Sequence, residues 1–462
     1  MEFRGKKVAV VGLGVSNLAA TRFLLRKGAR VSVFDRLKKE DLGDRYRLLE
    51  GQVSFRLGPD YLERLGEERW DYLLVTPGMP KDLPVIREAV DRGAVVTGEM
   101  PLFLQLCRGR TVGVTGSSGK TTTVSLLEAI LRAAGRDFRL GGNLGRPLIE
   151  EVEEIGEEEV VVLELSSFQL ELSTSSPRIG VLLNVRPNHL DVHGDFDRYC
   201  QAKKRIFLFQ GEEDWAVLNG KEDPVRGFGA EVPGRLCFFH REAAVECGAT
   251  GEGGDLRLVG LSPFGFPEGK LGRKEDIPLR GAHNVDNVLA ASLSAALLGV
   301  GPEESWPAVC AFRPVEHRLE WVAEKGGVSF YDDSISTAPD RTVAALESFE
   351  EPLVLIAGGY DKKLPYREMA RKIVERVRVL VLLGETSARI AEEVEKVAEE
   401  VSGTLEQVVR VGNMEQAVAE AARLARPGEV VLLSPGCASY DLFRDYRERG
   451  EVFRRLVLAL PG

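Results

Sequence analysis

The sequence predicts an α/β protein of three domains with mostly parallel sheets. Short apolar runs alternate with amphipathic segments along the whole chain, as expected for strands joined by crossover helices. Many of these runs end in Gly, Asp, Ser or Asn, which suit the ligand loops at the carboxyl ends of parallel strands. A length of 462 residues allows two to four domains with large apolar cores.

The predicted strands fall into three blocks, at about 1–97, 98–313 and 314–462. The strands of the first two blocks are Lys7–Val11, Arg30–Phe34, Tyr72–Thr76, Thr111–Thr115, Glu159–Leu165 and Ile179–Val185. The strands of the third block are Val328–Tyr331, Leu353–Ala357, Val379–Leu383, Val408–Val411 and Val430–Ser434. Within the second block, the polar, glycine-rich stretch Glu246–Lys274 predicts hairpins, and a helix is expected over Asn284–Leu298.

Composition narrows the class of protein. The chain is 44% hydrophobic and 29% charged, which is ordinary for a soluble globular protein. A formal net charge of −10 argues against general binding to nucleic acid or membrane surfaces. None of the six cysteines forms a CxxC pair, so we expect free thiols rather than a zinc or redox motif. The first apolar run is too short to span a membrane, and we expect a monomeric, cytoplasmic protein.

The most specific local motif is a glycine-rich loop between a strand and a helix, TVGVTGSSGKTTTVSLLEAI. Glycines allow backbone N–H groups to surround phosphate oxygens, and the helix N-terminus adds positive potential. Lys120 would neutralise the β- and γ-phosphates of a nucleotide, and the Thr121 hydroxyl could reach Mg²⁺. Val114 stands where the longer phosphate-loop pattern has its first glycine, so the match is to the shorter TGxxGKT form. The motif predicts nucleotide binding.

A second glycine-rich turn, Gly12-Leu-Gly14-Val-Ser-Asn17, lies between the first strand and its helix, and Asp35 ends the next strand. The pattern is an imperfect dinucleotide fingerprint, because Asn17 replaces the third glycine. A nucleotide with phosphates, a dinucleotide and a plain tight turn all remain open for it. The segment around Gly78, after a later strand, would close the same site.

Nine segments together resemble the Mur ligases over essentially the whole chain. They are GGNLGRP (141–147), VVLELSSFQLE (161–171), NVRPNHLDVHG (184–194), QAKKRI (201–206), GAHNVDN (281–287), EHRLE (316–320), DDSISTAPDRT (332–342), AGGYDKK (357–363) and SPGCASYDLFRDYRERG (434–450). ELSSFQLE and the last segment resemble the members that add D-glutamate.

The resemblance implies three domains and a defined reaction. The first would be a Rossmann-like domain for a UDP-sugar, the second a phosphate-loop domain for ATP, and the third a Rossmann-like lid for the amino acid. ATP would phosphorylate the alanyl carboxylate of UDP-N-acetylmuramoyl-L-alanine, and the amine of glutamate would then displace the phosphate. The product would be a precursor of peptidoglycan.

The resemblance also assigns the nucleotide and metal residues. The ATP-binding set is Gly116, Ser117, Ser118, Gly119, Lys120, Thr121, Thr122, His283, Asn284, Asn287, Arg318 and Asp333. The catalytic set is Lys120, Glu164, His189, Lys203 and Arg318. Two Mg²⁺ ions are expected, with Thr121, Glu164, His189 and Lys203 as the metal-binding set.

Lys203 is an unusual residue beside a cation site, because like charges repel. In the Mur ligases a lysine at this position is carbamylated by CO₂, which turns the amine into an anion. The alternative is a surface lysine on a charged helix, with Lys204 as its neighbour. Many relatives have Asp in place of Asn188, so a metal role for that position is open, and so is the role of His193.

Two further sets follow from the resemblance. The UDP-substrate set is Gly14, Val15, Ser16, Asp35, Arg36, Gly78, Asn143, Ser166 and His189. The amino-acid set is Thr337, Lys362, Ser439 and Tyr446. Many D-glutamate ligases have DSKAT where this chain has Asp333-Ser-Ile335-Ser-Thr337, so one hydrogen-bond donor near the acceptor is absent.

Several rival functions share some of these features. The same chemistry with L-Glu or L-Lys as acceptor uses the same phosphate loop. A folylpolyglutamate-type ligase also shares the loop and the lysine, but it lacks a UDP-binding first domain. A nicotinamide oxidoreductase would use the first glycine turn and would leave the GKTT loop unexplained. A non-catalytic nucleotide-binding module would show no ATPase activity dependent on both substrates.

The phosphate loop yields the first prediction. Lys120→Ala should abolish ligation in a folded protein, because this lysine compensates phosphate charge rather than packing. Removing one such charged donor typically costs about 10²-fold or more in rate. Near-normal phosphate release by a folded Lys120→Ala variant would exclude ATP chemistry at this loop.

Overall fold

The computed structural model describes residues 2–187, 190–313, 316–349, 351–362 and 364–461. Its strands form three sheets, and each predicted block contains one of them. The chain divides into two compact units. One contains the chain up to Asp276 together with Asp286–Ala311, and the other contains Ile277–Val285 together with the chain from Phe312 onward. The predicted domain boundaries stay predictions.

The first sheet is entirely parallel, with strand order β3-β2-β1-β4-β5. Its strands are β1 (Lys7–Val11), β2 (Arg30–Asp35), β3 (Ser54–Leu57), β4 (Tyr72–Val75) and β5 (Val95–Thr97). Its helices are α1 (Val15–Arg26), α2 (Lys39–Leu42), α3 (Asp44–Leu49), α4 (Tyr61–Leu65), α5 (Pro84–Asp91) and α6 (Glu99–Leu106). The strand order reverses beside β1, so the loops after β1 and β4 meet at the usual ligand position of such sheets.

The central sheet has nine strands in the order β14-β13-β12-β11-β10-β9-β6-β8-β7. They are β6 (Arg110–Thr115), β7 (Phe138–Gly142), β8 (Val160–Glu164), β9 (Ile179–Leu182), β10 (Trp215–Asn219), β11 (Arg235–His240), β12 (Gly248–Thr250), β13 (Asp255–Val259) and β14 (Gly269–Arg273). The β12–β13 and β13–β14 pairings are antiparallel, and the other pairings between these nine strands are parallel.

Six helices accompany the central sheet. They are α7 (Lys120–Ala133), α8 (Ser167–Leu170), α9 (Leu190–His193), α10 (Phe196–Lys204), α11 (Ala282–Ala296) and α12 (Pro302–Ala311). Strands β6, β8 and β9 are adjacent and almost fully buried, so their carboxyl ends bring distant segments of the chain to one edge.

The third sheet has six strands in the order β15-β16-β20-β17-β18-β19, of which only β15 is antiparallel. The strands are β15 (Glu320–Lys325), β16 (Val328–Asp332), β17 (Leu353–Ala357), β18 (Val377–Leu382), β19 (Gln407–Arg410) and β20 (Val430–Leu433). The helices are α13 (Pro339–Leu346), α14 (Arg367–Arg376), α15 (Ser387–Glu400), α16 (Met414–Leu424) and α17 (Tyr446–Leu458).

All eleven predicted strands are present, within a few residues of the expected ends. The expected helix after the hairpins is α11, and the predicted hairpins are β12 to β14. In the acidic stretch 150–159, Glu150, Glu151 and Glu159 form ion pairs with arginines. In the part of the chain that the structure describes, no helix has the length and apolar character that crossing a membrane requires.

A buried ion pair joins β18 to the start of β20. The guanidinium of Arg378 donates to both carboxylate oxygens of Glu429 at 2.6 Å, and both residues are less than a tenth exposed. Burial works to raise the pKa of Glu429, but the hydrogen bonds from Arg378 lower it overall. The ion pair therefore stabilises the fold fully at pH values above the carboxyl pKa of the unfolded chain. This stabilisation is lost as the pH falls through the lower pKa that Glu429 has in the folded protein.

Glu429→Ala should destabilise the third sheet by about 3 kcal/mol, because it leaves the Arg378 charge buried without its main partner. Hydrogen exchange of the β18 and β20 amides measures this change locally. Glu415→Ala, at an exposed position on α16, is the matched control and should alter exchange little. Equal exchange rates in the two variants would contradict the prediction.

Candidate active site

The glycine-rich loop folds as the sequence predicts, between β6 and α7. Gly119 has φ of +84° and precedes the first residue of α7. A Cβ at Gly119 would stand 2.5 Å from the Asn287 side-chain oxygen, so glycine is required on both conformational and steric grounds. The loop therefore presents backbone N–H groups at a helix N-terminus, which is an anion-binding arrangement.

Two lysines donate to one carbonyl oxygen of this loop. Nζ of Lys120 lies 2.8 Å from the Gly116 oxygen, and Nζ of Lys203 lies 2.9 Å from the same atom. The sequence places these lysines more than eighty residues apart. Their convergence follows from the adjacency of the loop after β6 and helix α10, and it brings two cationic groups to a single acceptor.

Lys203 is almost completely buried, with 1% of its surface exposed. Its ammonium lies over the ring of Tyr199 at 4.9 Å and near the Thr115 hydroxyl at 3.4 Å. Burial, and to a smaller extent the charge of Lys120, hold the pKa of Lys203 well below its usual value. The alternative reading as a surface lysine is therefore wrong. Lys204 instead pairs with Glu231 at 2.6 Å.

The residues expected to bind metal include a preformed oxygen-rich pair. Thr121 donates its hydroxyl to one carboxylate oxygen of Glu164 at 2.8 Å, and Asn143 donates its amide to the other at 3.0 Å. Glu164 is 3% exposed and ends β8, directly beside the phosphate loop. A buried carboxylate and a hydroxyl at a phosphate site are suitable donors for Mg²⁺, which prefers oxygen ligands.

Two residues that the sequence did not single out hold the phosphate loop in shape. Asn184, just after β9, accepts the Ser118 N–H at 2.9 Å and donates back to the Ser118 carbonyl oxygen. The Tyr199 hydroxyl is 2.9 Å from the Ser117 hydroxyl. Asn184 could have been identified from the sequence because it lies at the end of a predicted strand, whereas no sequence pattern marks Tyr199.

Helix α11 contributes Asn287 to the same loop. Its side-chain oxygen accepts from the hydroxyl of Thr123 at 3.2 Å and packs closely on Gly119. The expected ATP residues of the loop and Asn287 are therefore contiguous. Thr122 is buried on α7. His283 and Asn284 belong to the other compact unit, where Asn284 donates to the Arg280 carbonyl oxygen at 2.6 Å.

The expected UDP-substrate residues of the first sheet lie at its carboxyl edge. Gly14 precedes α1, and Val15 and Ser16 form the first turn of that helix. Asp35 is buried at the end of β2, where its carboxylate accepts the Leu13 N–H at 2.6 Å. Asp35 thus shapes the glycine turn. Direct substrate contact by Asp35 stays a prediction.

Two other expected substrate residues of this sheet, Arg36 and Gly78, are exposed. A Cβ at Gly12 would meet the Thr76 side chain at 3.2 Å, which shows that the loops after β1 and β4 are in contact. Asn17, at the third glycine position, donates to the Gly12 carbonyl oxygen at 2.8 Å.

Ser166 and Gln169 form a reciprocal cap at the start of α8. The Ser166 hydroxyl accepts the Gln169 N–H at 3.3 Å, and the Gln169 side-chain oxygen accepts the Ser166 N–H at 3.0 Å. His193 is buried, with its Nε2 3.0 Å from the Ser167 hydroxyl and its ring stacked on Phe168. Asn188 and His189 lie outside the described residues, so the predicted role of His189 stays a prediction and that of Asn188 stays open.

In the second compact unit, Asp333 follows β16 and is 2% exposed. Its carboxylate accepts the Ser434 hydroxyl at 2.7 Å and the Leu319 N–H at 3.3 Å. Burial raises its pKa to about 6, against the effect of these bonds and of the nearby Arg318 charge. Arg318 and Asp333, both predicted to bind ATP, therefore lie near each other.

The residues predicted to bind the amino acid follow three neighbouring strands of the third sheet. Nζ of Lys362 lies 3.2 Å from the Thr337 carbonyl oxygen, and burial with the charges of Arg341 and Arg449 lowers the Lys362 pKa. Ser439 is buried, and Tyr446 begins α17. The Tyr446 carbonyl oxygen accepts the Ser334 hydroxyl at 2.7 Å.

Arg449 connects these loops and was not among the predicted residues. Its guanidinium donates to the Ser334 hydroxyl at 2.9 Å, the Ser334 carbonyl oxygen at 2.8 Å and the Cys437 carbonyl oxygen at 3.1 Å. Burial lowers its pKa to about 10. The next residue, Gly450, packs against His317, whose Nδ1 is 2.7 Å from Asp332. Arg449 thus fixes the loops after β16 and β20 relative to each other.

Three protein-family models match successive parts of the chain. Residues 6–98 match the N-terminal domain of MurD-like Mur ligases, residues 114–295 the Mur ligase middle domain, and residues 317–437 the glutamate ligase domain of Mur ligases. The UDP-N-acetylmuramoylalanine–D-glutamate ligase of Symbiobacterium thermophilum is 45% identical, over 98% of both chains. The ligase of the same name from Acetivibrio thermocellus is 42% identical, over 100% of this chain and 98% of its own.

Solved structures show the same fold at lower identity. The MurF ligase of Thermotoga maritima in complex with ADP has a TM-score of 0.55 and 20% identity, over 99% of this chain and 96% of its own. A pseudomurein peptide ligase type C from Methanothermus fervidus has a TM-score of 0.56 and 17% identity, over 98% of this chain and 99% of its own. With relatives above 40% identity along its full length, the chain belongs to the Mur ligase family.

Proposed function

We propose that this protein joins the alanyl carboxylate of UDP-N-acetylmuramoyl-L-alanine to the amine of D-glutamate, with ATP as the energy source. The observation that carries the proposal is the phosphate loop, with Lys120 and buried Lys203 on one carbonyl oxygen and the Thr121–Glu164 pair beside them. The names of the full-length relatives support this donor and this acceptor. The reaction makes a peptidoglycan precursor.

The reaction has two balanced steps. A carboxylate oxygen of the alanyl group attacks the γ-phosphorus of ATP, the bond to the β-phosphate oxygen breaks, and ADP leaves. The amine of glutamate then attacks the carbonyl carbon of this acyl phosphate, loses a proton and expels inorganic phosphate. Lys120 and the backbone N–H groups of the loop stabilise charge on the transferred phosphoryl group.

Thr121 and Glu164 would hold one Mg²⁺ at the nucleotide, and His189 is the predicted contact of a second Mg²⁺. The first ion would supply positive charge to the phosphate oxygens. The Thr121 hydroxyl donates to one oxygen of Glu164, and Asn143 donates to the other. Asn143 therefore orients the carboxylate beside the phosphate loop.

The environment of Lys203 supports carbamylation. Burial holds its pKa well below the usual value, so the amine is neutral to a larger extent than a surface lysine, and a neutral amine is the form that reacts with CO₂. The carbamate is anionic. It would replace the repulsion between Lys203 and Lys120 by attraction, and it would provide an oxygen ligand for a second Mg²⁺.

The acceptor loops offer separate donors for two carboxylates. Thr337 and Lys362 are in contact and would bind one carboxylate. Ser439 and Tyr446, on the loop and helix that Arg449 holds in place, would bind the other. Ile335 has no side-chain donor. A hydrogen bond to a charged group is typically worth about 1.5–3 kcal/mol, so its absence would weaken glutamate binding by roughly 10- to 150-fold. We expect D-glutamate, bound more weakly than by enzymes with DSKAT.

An acceptor panel tests the substrate assignment. Phosphate release is measured with UDP-N-acetylmuramoyl-L-alanine, ATP and equal concentrations of D-Glu, L-Glu, D-Asp or L-Lys. D-Glu should give the highest rate, because two anionic ends match two sets of donors. Ile335→Lys should lower the KM for D-Glu and leave the KM for ATP unchanged. Faster turnover with L-Glu or L-Lys would overturn the acceptor assignment and leave the two-step chemistry intact.

Lys203→Ala should lose ligase activity, because both the amine and its carbamate are removed. Binding of the UDP substrate, measured by calorimetry, should survive, since the expected UDP residues lie elsewhere. Added acetate or another small carboxylate should restore part of the turnover by replacing the missing anion. Lys204→Ala is the matched control and should keep most of its activity. Full activity of Lys203→Ala in the absence of added carboxylate would contradict the proposal.

A further inference from the structure

Two cysteines of the central sheet lie in contact. Cys237 is on β11 and Cys247 directly precedes β12, and their Sγ atoms are 2.7 Å apart. Neither residue belongs to the predicted nucleotide, substrate or acceptor sets, and both are free thiols. No sequence pattern marks this pair, because nine residues separate the two positions and they form no CxxC motif.

The sheet register places these residues side by side. Phe238 is opposite Gly248 in the parallel pairing of β11 and β12, and the Phe238 N–H donates to the Cys247 carbonyl oxygen at 3.0 Å. Continued back by one residue, this register sets Cys237 opposite Cys247. Neighbouring strands are about 4.8 Å apart, which lies within the Cα separation of roughly 4.4–6.8 Å that disulfides require.

Gly248 maintains this close approach. A Cβ at this position would lie 1.8 Å from the Phe238 carbonyl oxygen, so any side chain would push the two strands apart. The register and this close approach therefore keep the two cysteines at directly neighbouring strands, as a disulfide requires.

The two thiols differ in access and acidity. Cys237 is fully buried, whereas Cys247 is partly exposed. The hydrogen bond between them lowers the pKa of Cys247, and the same bond, together with burial, raises the pKa of Cys237. Cys247 is thus the thiol that reacts first with a reagent from solution, and Cys237 is the thiol that reacts second, with the modified Cys247.

We propose that Cys237 and Cys247 are a redox modification site that forms a reversible intramolecular disulfide with low-molecular-weight disulfides. The Cys247 thiolate attacks one sulfur of the small disulfide, and the first small thiol leaves. Cys237 then loses its proton and attacks the Cys247 sulfur of this mixed disulfide, and the second small thiol leaves. Two protein thiols are oxidised, and one small disulfide is reduced to two thiols.

The crosslink would close the segment 237–247, which is tied to the phosphate loop through a short series of contacts. Arg241 forms an ion pair with Asp286 on α11, and the adjacent Asn287 packs on Gly119. Closing a loop of this length restricts the unfolded chain, so the oxidised protein should have a thermal midpoint higher by roughly 3 °C or more.

The test uses the full chain treated with oxidised glutathione, blocked with an alkylating reagent and digested with trypsin without reduction. Cys237 lies in the peptide 236–241 and Cys247 in the peptide 242–257, so the disulfide appears as these two peptides joined. Exposed Cys310 should carry a glutathione adduct and shows that the reagent reacted. Joined peptides that separate on reduction support the proposal. A reagent adduct on Cys310 without joined peptides overturns it.

Two serine variants test the order of reaction. Cys237→Ser should accumulate glutathione on Cys247, because the second thiol is missing. Cys247→Ser should leave Cys237 unmodified, because the buried thiol does not meet the reagent. Glutathione on Cys237 in the Cys247→Ser variant, in a protein with an unchanged circular dichroism spectrum, would contradict the proposed roles.

Discussion

The site depends on one carbonyl oxygen, that of Gly116, which receives hydrogen bonds from both Lys120 and Lys203. Two ammonium groups at one neutral acceptor repel each other, and burial further disfavours charge on Lys203. Both effects favour the loss of positive charge from Lys203. Lys120 is predicted to bind the phosphate oxygens of a nucleotide, and Lys203 is the more deeply buried of the two, so we expect Lys203 to be the lysine that loses its positive charge. The carbamate proposed for Lys203 is the chemical form that removes this conflict and adds a metal ligand.

The parallel sheets explain how distant residues reach this position. Strands β6, β8 and β9 are adjacent, so the phosphate loop, Glu164 and Asn184 meet at one edge although they are separated widely in sequence. Helices α10 and α11 add Lys203 and Asn287. In the third sheet the same principle assembles Asp333, Lys362 and Ser439 after neighbouring strands. Each set is positioned by backbone hydrogen bonds and packing, which explains why glycines with close neighbours occur at the strand ends.

Much of the fold could be predicted because apolar runs mark buried strands directly. The strands that escaped prediction include the short Val95–Thr97, the charged Glu320–Lys325 and the fully buried Trp215–Asn219. Within the site, Lys120 and Thr121 follow from a local motif, and Lys203 required the family resemblance. Tyr199, Arg449 and the Cys237–Cys247 contact depend on which segments the sheets bring together. No local pattern contains that information, because each contact joins residues whose spacing is set by the tertiary fold.

The most direct measurement of the central claim is carbon NMR of the full-length protein equilibrated with ¹³C-labelled bicarbonate, with and without ATP and Mg²⁺. If Lys203 is carbamylated, the wild-type protein should give a carbamate carbon signal that is absent from Lys203→Ala and unchanged in Lys204→Ala. The signal should be lost on acidification, because protonated carbamates release CO₂. Absence of such a signal in an active wild-type enzyme under these conditions would contradict the account.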